Sequence, residues 1–249
     1  MECLNCLIDN SICIFDSGIG GINVLSECVR RKPWLNYNYV SDNFNVPYGN
    51  KSSAEIFNLV KNKLDVVAKS KPRAVVIACN TATTNCIGAL RKEYDFNLVG
   101  IEPAVKQCRD VDKKCLLLCT SATANSKNLG NLIKKFGANL EVLAMKNLAE
   151  YIENNAPNLD ENAIINSLPN GEYDVVILGC THYVFAKKMI RKKYNCAVFD
   201  GIVGTVNHLF NILGICDHKS TKMGKVGFFG GNIAKNQSLF KFVAFQNNT

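Results

Sequence analysis

Short apolar runs alternate along the chain with longer stretches in which apolar residues recur every three or four positions. The runs are Ile12–Phe15, Tyr37–Ser41, Val75–Ala78, Leu98–Gly100, Cys115–Cys119, Val142–Ala144, Val175–Leu178, Ala197–Phe199 and Val226–Phe229. The longer stretches are Gly21–Arg31, Ser53–Lys69, Thr81–Arg91, Ser121–Lys135, Thr181–Lys193 and Ile202–Leu213. Runs that are apolar throughout become strands buried on both faces. Their alternation with helical stretches predicts an α/β fold with parallel sheets. Pro157–Pro169, rich in Asn, reads as a mobile surface excursion carrying a short helix, and Gln246–Thr249 as a frayed end.

The pattern repeats. Ala74-Val75-Val76-Ile77-Ala78-Cys79-Asn80-Thr81 is echoed by Asp174-Val175-Val176-Ile177-Leu178-Gly179-Cys180-Thr181-His182. Each cysteine follows a buried strand and precedes a hydroxyl residue suited to a helix start. Two similar, pseudo-duplicated open parallel-sheet lobes are therefore expected, with the active site in the cleft between them. Residues 1–99 plus 212–249 are assigned to the first lobe and 100–211 to the second. Ligands of such sheets bind at the carboxyl ends of the strands.

Composition narrows the class. With 249 residues, 47% apolar and 20% charged, the chain resembles an ordinary globular protein. No apolar run approaches the ~20 residues of a membrane helix, and Met1–Asn10 has neither the basic patch nor the apolar stretch of a signal peptide. A soluble, cytoplasmic protein is expected. The 12 cysteines then read as reduced thiols, with Cys13, Cys115 and Cys119 as small core residues. Cys3 and Cys6 form a CxxC without a second half-site, so no metal is expected there. The net charge of +8 raises nucleic acid. The densest basic group, Lys187, Lys188, Arg191, Lys192 and Lys193, instead falls at helical spacing as a solvated face, without the aromatic interleaving of RNA-binding motifs.

The polar residues that follow strands carry the candidate chemistry: Asp16-Ser17-Gly18-Ile19-Gly20-Gly21, Asp42 through Gly49, Cys79-Asn80-Thr81, and Cys180-Thr181-His182. The glycine turn is no dinucleotide loop. Asn23 stands where a third glycine belongs, and Asp16 repels phosphate. Its backbone N–H groups suit a smaller anion such as a carboxylate. Cys79 and Cys180 each precede an expected helix N-terminus, whose dipole favours a thiolate. Asp16, a carboxylate, raises a neighbouring thiol's pKa by charge and is better cast as proton acceptor than as thiolate stabiliser. His182, two residues past Cys180, reaches the same cavity. His208 and His218 have no comparable setting.

These segments resemble glutamate racemases of the aspartate/glutamate racemase superfamily. The resemblance runs through Phe15–Gly21, Asp42 with Pro47-Tyr48-Gly49, Ala78–Thr83, Gly100–Ala104 and Leu178–Tyr183, in order and over nearly the whole chain. It implies two acid/base thiols on opposite faces of the substrate α-carbon. Cys79 would take the proton from D-glutamate and Cys180 from L-glutamate, Asp16 assisting the first and His182 the second. Asp16, Ser17, Tyr48, Gly49, Asn80, Thr81, Thr120, Thr181 and His182 would bind substrate. A further catalytic glutamate should fall near Glu150 or Glu153, a spacing that Ile152 disturbs; Glu153 is favoured. Val184 stands where the family usually has proline. The resemblance implies no cofactor, a role in supplying D-glutamate for peptidoglycan, and a possible homodimer.

Three rival readings remain open on the sequence. One is an aspartate racemase of the same superfamily. Another is a hydrolase using Cys180 as nucleophile with His182, which leaves Cys79 idle. The last is a non-catalytic binding protein that kept the fold.

Overall fold

The computed structural model describes residues 7–110, 112–137, 139–216 and 222–246. Cys3, Cys6, His218 and the end from 247 lie outside them. Among the described residues nine strands form: β1 (Ile12–Asp16), β2 (Tyr37–Ser41), β3 (Ala74–Ile77), β4 (Asn97–Gly100), β5 (Cys115–Cys119), β6 (Leu140–Ala144), β7 (Val175–Gly179), β8 (Ala197–Phe199) and β9 (Val226–Phe229). They make a five-stranded sheet in the order β4-β3-β1-β2-β9 and a four-stranded sheet in the order β6-β5-β7-β8. Every pairing is parallel. The two parallel-sheet lobes expected from the apolar runs are present.

The helices are α1 (Ile22–Arg31), α2 (Ser53–Ala68), α3 (Asn80–Leu90), α4 (Ser121–Ala124), α5 (Lys127–Phe136), α6 (Leu148–Asn155), α7 (Glu161–Ser167), α8 (Lys187–Tyr194), α9 (Ile202–Ile212) and α10 (Ile233–Gln246). Alternate strand residues point to opposite faces. Cys13, Phe15, Val75 and Ile77 pack with Ile56, Val60 and Leu64 of α2 on one side of the first sheet. Ile12, Ile14, Tyr37 and Tyr39 face the other side and join Leu116, Leu118, Val176 and Leu178 of the second sheet in one continuous core. That shared core sets the two lobes against each other. α9 packs against α1 and β4, so the chain returns to the first lobe before β9 joins its edge.

Local chemistry modifies the expected helices. The stretch Ser121–Lys135 is two helices. The Thr120 side chain accepts from Thr123 N–H to open α4, and the Ser126 hydroxyl accepts from Leu129 N–H at 3.2 Å to open α5. A second capping residue competes with continuation of the first helix. Thr181–Ala186 is a 3₁₀ turn, and the α-helix begins only at Lys187. The Pro157–Pro169 excursion carries the short helix α7 and is tethered by Ile164, which is buried in the main core. Helices α6 and α10 were not foreseen.

Candidate active site

The registers align the strand ends that matter. Asp16 closes β1 opposite Ser41, and Cys119 closes β5 opposite Gly179. Cys79 is the N-cap residue of α3, two residues beyond β3. Cys180 follows β7 directly and heads the 3₁₀ turn. The first lobe thus supplies Asp16, Ser17 and Cys79. The second supplies Thr120, Cys180, Thr181 and His182, and α6 adds Glu153.

Around Cys79, the Ser17 hydroxyl lies 3.4 Å from the sulfur. Asp16 accepts from Gly18 N–H at 2.7 Å and from the Thr181 hydroxyl at 3.1 Å. The second of these bonds crosses between lobes. Around Cys180, His182 Nδ1 lies 3.8 Å from the sulfur and Nε2 lies 2.8 Å from Glu153 Oε2. Glu153 also accepts from Ile19 N–H at 2.9 Å and from Asn43 Nδ2 at 2.6 Å. The Thr81 and Thr120 hydroxyls meet at 2.8 Å. Tyr48 donates to Asp42 at 2.7 Å, which turns its hydroxyl away from free use. Asn80 donates to Ile101 O at 3.3 Å. Apart from the half-buried Asn43, these side chains are buried, and both thiols are only 6% exposed.

The glycines mark where the lobes touch. A Cβ on Gly20 would sit 2.4 Å from Thr181 Oγ1, and one on Gly49 would sit 2.7 Å from Thr120 Cβ. The glycine turn does receive carboxylates on its N–H groups. These are the protein's own carboxylates, Asp16 at Gly18 and Glu153 at Ile19.

The profile of Asp/Glu/Hydantoin racemase matches residues 40–209. Glutamate racemase 2 of Bacillus subtilis (strain 168) is 34% identical over 245 residues, which cover 92% of each chain. Glutamate racemase of Halothermothrix orenii is 35% identical over 245 residues, covering 92% of this chain and 96% of the relative. The crystal structure of Escherichia coli glutamate racemase in complex with L-glutamate and activator UDP-MurNAc-ala superposes with a TM-score of 0.81 at 27% identity, over 94% of this chain and 95% of that one. The chain belongs to the Asp/Glu/hydantoin racemase family.

Within this racemase fold the electrostatics of the two halves differ. Burial, then the charge of Asp16, push the Cys79 thiol up to about 12, against the pull of the Ser17 hydroxyl and Ala82 N–H; Cys180 adds a further upward push. A position at a helix start does not by itself make Cys79 a thiolate: the Ala82 N–H of the first turn pulls the thiol down, but burial and Asp16 raise it. At Cys180 the argument lapses, since a 3₁₀ turn stands where an α-helix was expected. Burial raises the Asp16 carboxyl above its ordinary range despite His182, Gly18 and Thr181. His182 is held well above its ordinary value: burial opposes this, but the hydrogen bonds and charges of Cys180 and Glu153 outweigh it. Glu153 is lowered, with burial opposing and His182, Ile19 N–H and Lys235 prevailing.

Glu153, not the exposed Glu150, lies beside His182, and Ile152 is a core residue. Asn43, inside the candidate segment Asp42–Gly49 but given no role there, and Lys235, which went unnoticed in the sequence, also reach Glu153. His208 is exposed and away from the thiols. It lines a separate cavity of about 750 Å³ with Arg91, Glu102 and Lys106, which none of the site residues above shares. Among the described residues no group of His, Cys, Asp or Glu is arranged to hold a metal ion, and every cysteine is a free thiol. No helix among them is long and apolar enough to cross a membrane.

The His182–Glu153 pair carries a stability prediction. A lowered glutamate contributes above its unfolded pKa of about 4.3 and loses that contribution as pH falls through its folded value. A raised histidine contributes fully below about 6.5 and loses it as pH rises through its folded value. The pair should stabilise the fold most between about pH 4.5 and 6.5. Urea unfolding of the wild type and Glu153→Gln across pH should show their difference shrinking on both sides of that window. A difference that ignores pH would contradict the pairing.

Proposed function

We propose that the protein is a cofactor-independent glutamate racemase that moves a proton across the substrate α-carbon between Cys79 and Cys180. The observation that carries this reading is the pairing of each thiol with its own proton partner from opposite lobes. Asp16 and Ser17 attend Cys79, and His182 backed by Glu153 attends Cys180. Family membership and the glutamate racemases among its relatives support the same substrate.

Inversion needs the α-hydrogen to leave one face while a proton arrives on the other, so two opposed acid/base groups are required. In each direction one enters as thiolate and the other as thiol, and the pair shares about one proton as a coupled titration. Cys79 rests as a thiol, and the Asp16 carboxylate, made more basic than usual by burial, is the acceptor for its proton when the D enantiomer binds. The imidazolium of His182 presents one N–H to Cys180 and the other to Glu153. It can return a proton to the sulfur after L-glutamate has been formed and exchange one before it is consumed. Charge developing on the α-carboxylate is met by N–H groups at Asn80-Thr81 and Thr181-His182, a stabilisation worth roughly 3–4 kcal/mol per donor. Ser17, Tyr48, Gly49, Thr81, Thr120 and Thr181 complete the substrate-binding set. Because these groups are buried, substrate entry requires the lobes to part. D-glutamate made in the cytoplasm would serve peptidoglycan synthesis.

The deciding experiment supplies D- and L-glutamate separately in heavy water, with aspartate as comparator. Conversion with deuterium at the α-carbon from both glutamate enantiomers, faster than from aspartate, is expected. Preference for aspartate would move the substrate assignment. Hydrolysis through a Cys180 adduct, or no exchange from either amino acid, would defeat the racemase reading.

A further inference from the structure

Glu153 is gripped from behind as well as in front. Asn43 Nδ2 donates to its Oε1 at 2.6 Å, and Lys235 Nζ lies 3.9 Å from the same oxygen while also donating to the Glu153 backbone carbonyl. These groups come from the first lobe: Asn43 from the loop after β2, and Lys235 from the first turns of α10. Glu153 belongs to α6, in the second. Asn43 is itself fixed. Asn236 Nδ2 reaches its Oδ1 at 3.4 Å and the Ser41 hydroxyl at 2.8 Å. The turn after β9 closes over it, with Gly231 at φ +56° and so near that a Cβ there would stand 2.0 Å from Asn43 Oδ1. Only glycine tolerates both that backbone and that approach.

We infer that Asn43 and Lys235 are positioning residues for the Cys180 half of the site: they hold the Glu153 carboxylate, which orients the His182 ring against the sulfur. The chain of contacts is continuous, from α10 and the β9 turn through Asn43 and Lys235 to Glu153 Oε1, then from Oε2 to His182 Nε2, then from Nδ1 to Cys180 Sγ. A carboxylate held only at Oε2, by His182 and Ile19 N–H, can still swing its other oxygen about its terminal torsion, which is broad. Donors on both oxygens remove that freedom, as partners behind a ligating or catalytic histidine generally do. The β9–α10 segment therefore contributes to proton transfer at Cys180 without touching substrate. Among the described residues the groups acting on Cys79 are Asp16, Ser17, Ala82 N–H and Cys180, none of them from the β9–α10 segment.

The inference rests on the assignment of Cys180 as a proton-transferring thiol, and its test needs no turnover. The wild type, Lys235→Met, Asn43→Ala and the double variant are treated with iodoacetamide. Labelling of Cys180 relative to Cys79 is then followed by peptide mass spectrometry. Thiol reactivity follows the local proton donor and acceptor, so the Cys180-to-Cys79 ratio should fall by about threefold in the double variant and recover in Asn43→Ala that carries Lys235→Arg. General loosening would raise both rates together, and an unchanged or increased ratio overturns the inference. In turnover, Asn43→Ala should lower kcat by about tenfold with KM within about twofold. That loss should vanish in a Glu153→Gln background; its persistence there also overturns the inference. If the wild type fails to act on glutamate, the racemase reading falls while the labelling ratio still decides the positioning role.

Discussion

Cys79→Ser and Cys180→Ser are each expected to abolish net racemisation of glutamate while leaving the fold intact. Serine is nearly isosteric with cysteine, and both positions are buried among residues that keep their own hydrogen bonds, so secondary structure should be unchanged. The loss arises because a hydroxyl ionises far less readily than a thiol. It can neither take the α-proton nor exchange one with Asp16 or His182 on the catalytic timescale. General acid–base transfer by one group contributes about 10²–10⁴-fold, and inversion needs both groups in the same turnover, so the loss should reach at least that range in either variant. Residual chemistry should be one-sided. Cys180→Ser keeps Cys79 and should permit slow α-exchange or elimination from D-glutamate only, and Cys79→Ser the reverse. Deuterium incorporation into each enantiomer, measured separately, checks this. Near-normal racemisation in either variant would remove the two-thiol mechanism, and symmetrical residual exchange would remove the assignment of each thiol to one enantiomer.

Much of this arrangement was legible in the chain because it rests on local signals. The apolar runs became the nine strands found among the described residues, and those buried throughout, such as Cys115–Cys119, have no solvated face to offer, whereas β6, β8 and β9 lie partly exposed. The repeated strand–Cys–Thr pattern placed Cys79 and Cys180 at matching strand ends. Helix α10 escaped because Phe242 and Phe245 are exposed while Leu239 and Val243 are buried, which spreads apolar residues around the helix and blurs its period. Helix α6 is only eight residues long and ends in two asparagines. The break between α4 and α5 depends on Ser126 taking the Leu129 N–H as a second cap rather than α4 continuing through it, a choice that spacing does not settle. The contacts of Asn43 and Lys235 with Glu153 join segments 110 and 82 residues apart, and no pattern within either segment announces them. The raised Cys79 thiol was hidden for a related reason: burial is a property of the assembled fold, not of the residues beside the helix start.

Gly18 carries the second large expected effect. An alanine Cβ there would stand 2.2 Å from Glu153 Oε2, 2.9 Å from Glu153 Cδ and 3.0 Å from His182 Nε2. Gly18 is not among the glycines with positive φ, so alanine strains no backbone and its whole effect falls on the pair it collides with. The carboxylate is the far end of a side chain and can move, but Ile19 N–H, Asn43 and His182 hold it at 2.9, 2.6 and 2.8 Å. Moving it breaks at least one of those bonds and releases the His182 ring that faces Cys180. Gly18→Ala should therefore lower kcat by about tenfold or more, with KM nearly unchanged, and destabilise the fold by about 1–3 kcal/mol as overpacked sites do. A double-mutant cycle isolates the cause. Once Glu153→Ala has cleared the space, adding Gly18→Ala should cost little more in stability or rate. Full additivity would place the damage elsewhere in the glycine turn. Wild-type turnover in Gly18→Ala would mean that the Glu153 carboxylate is free to leave His182 without consequence for Cys180.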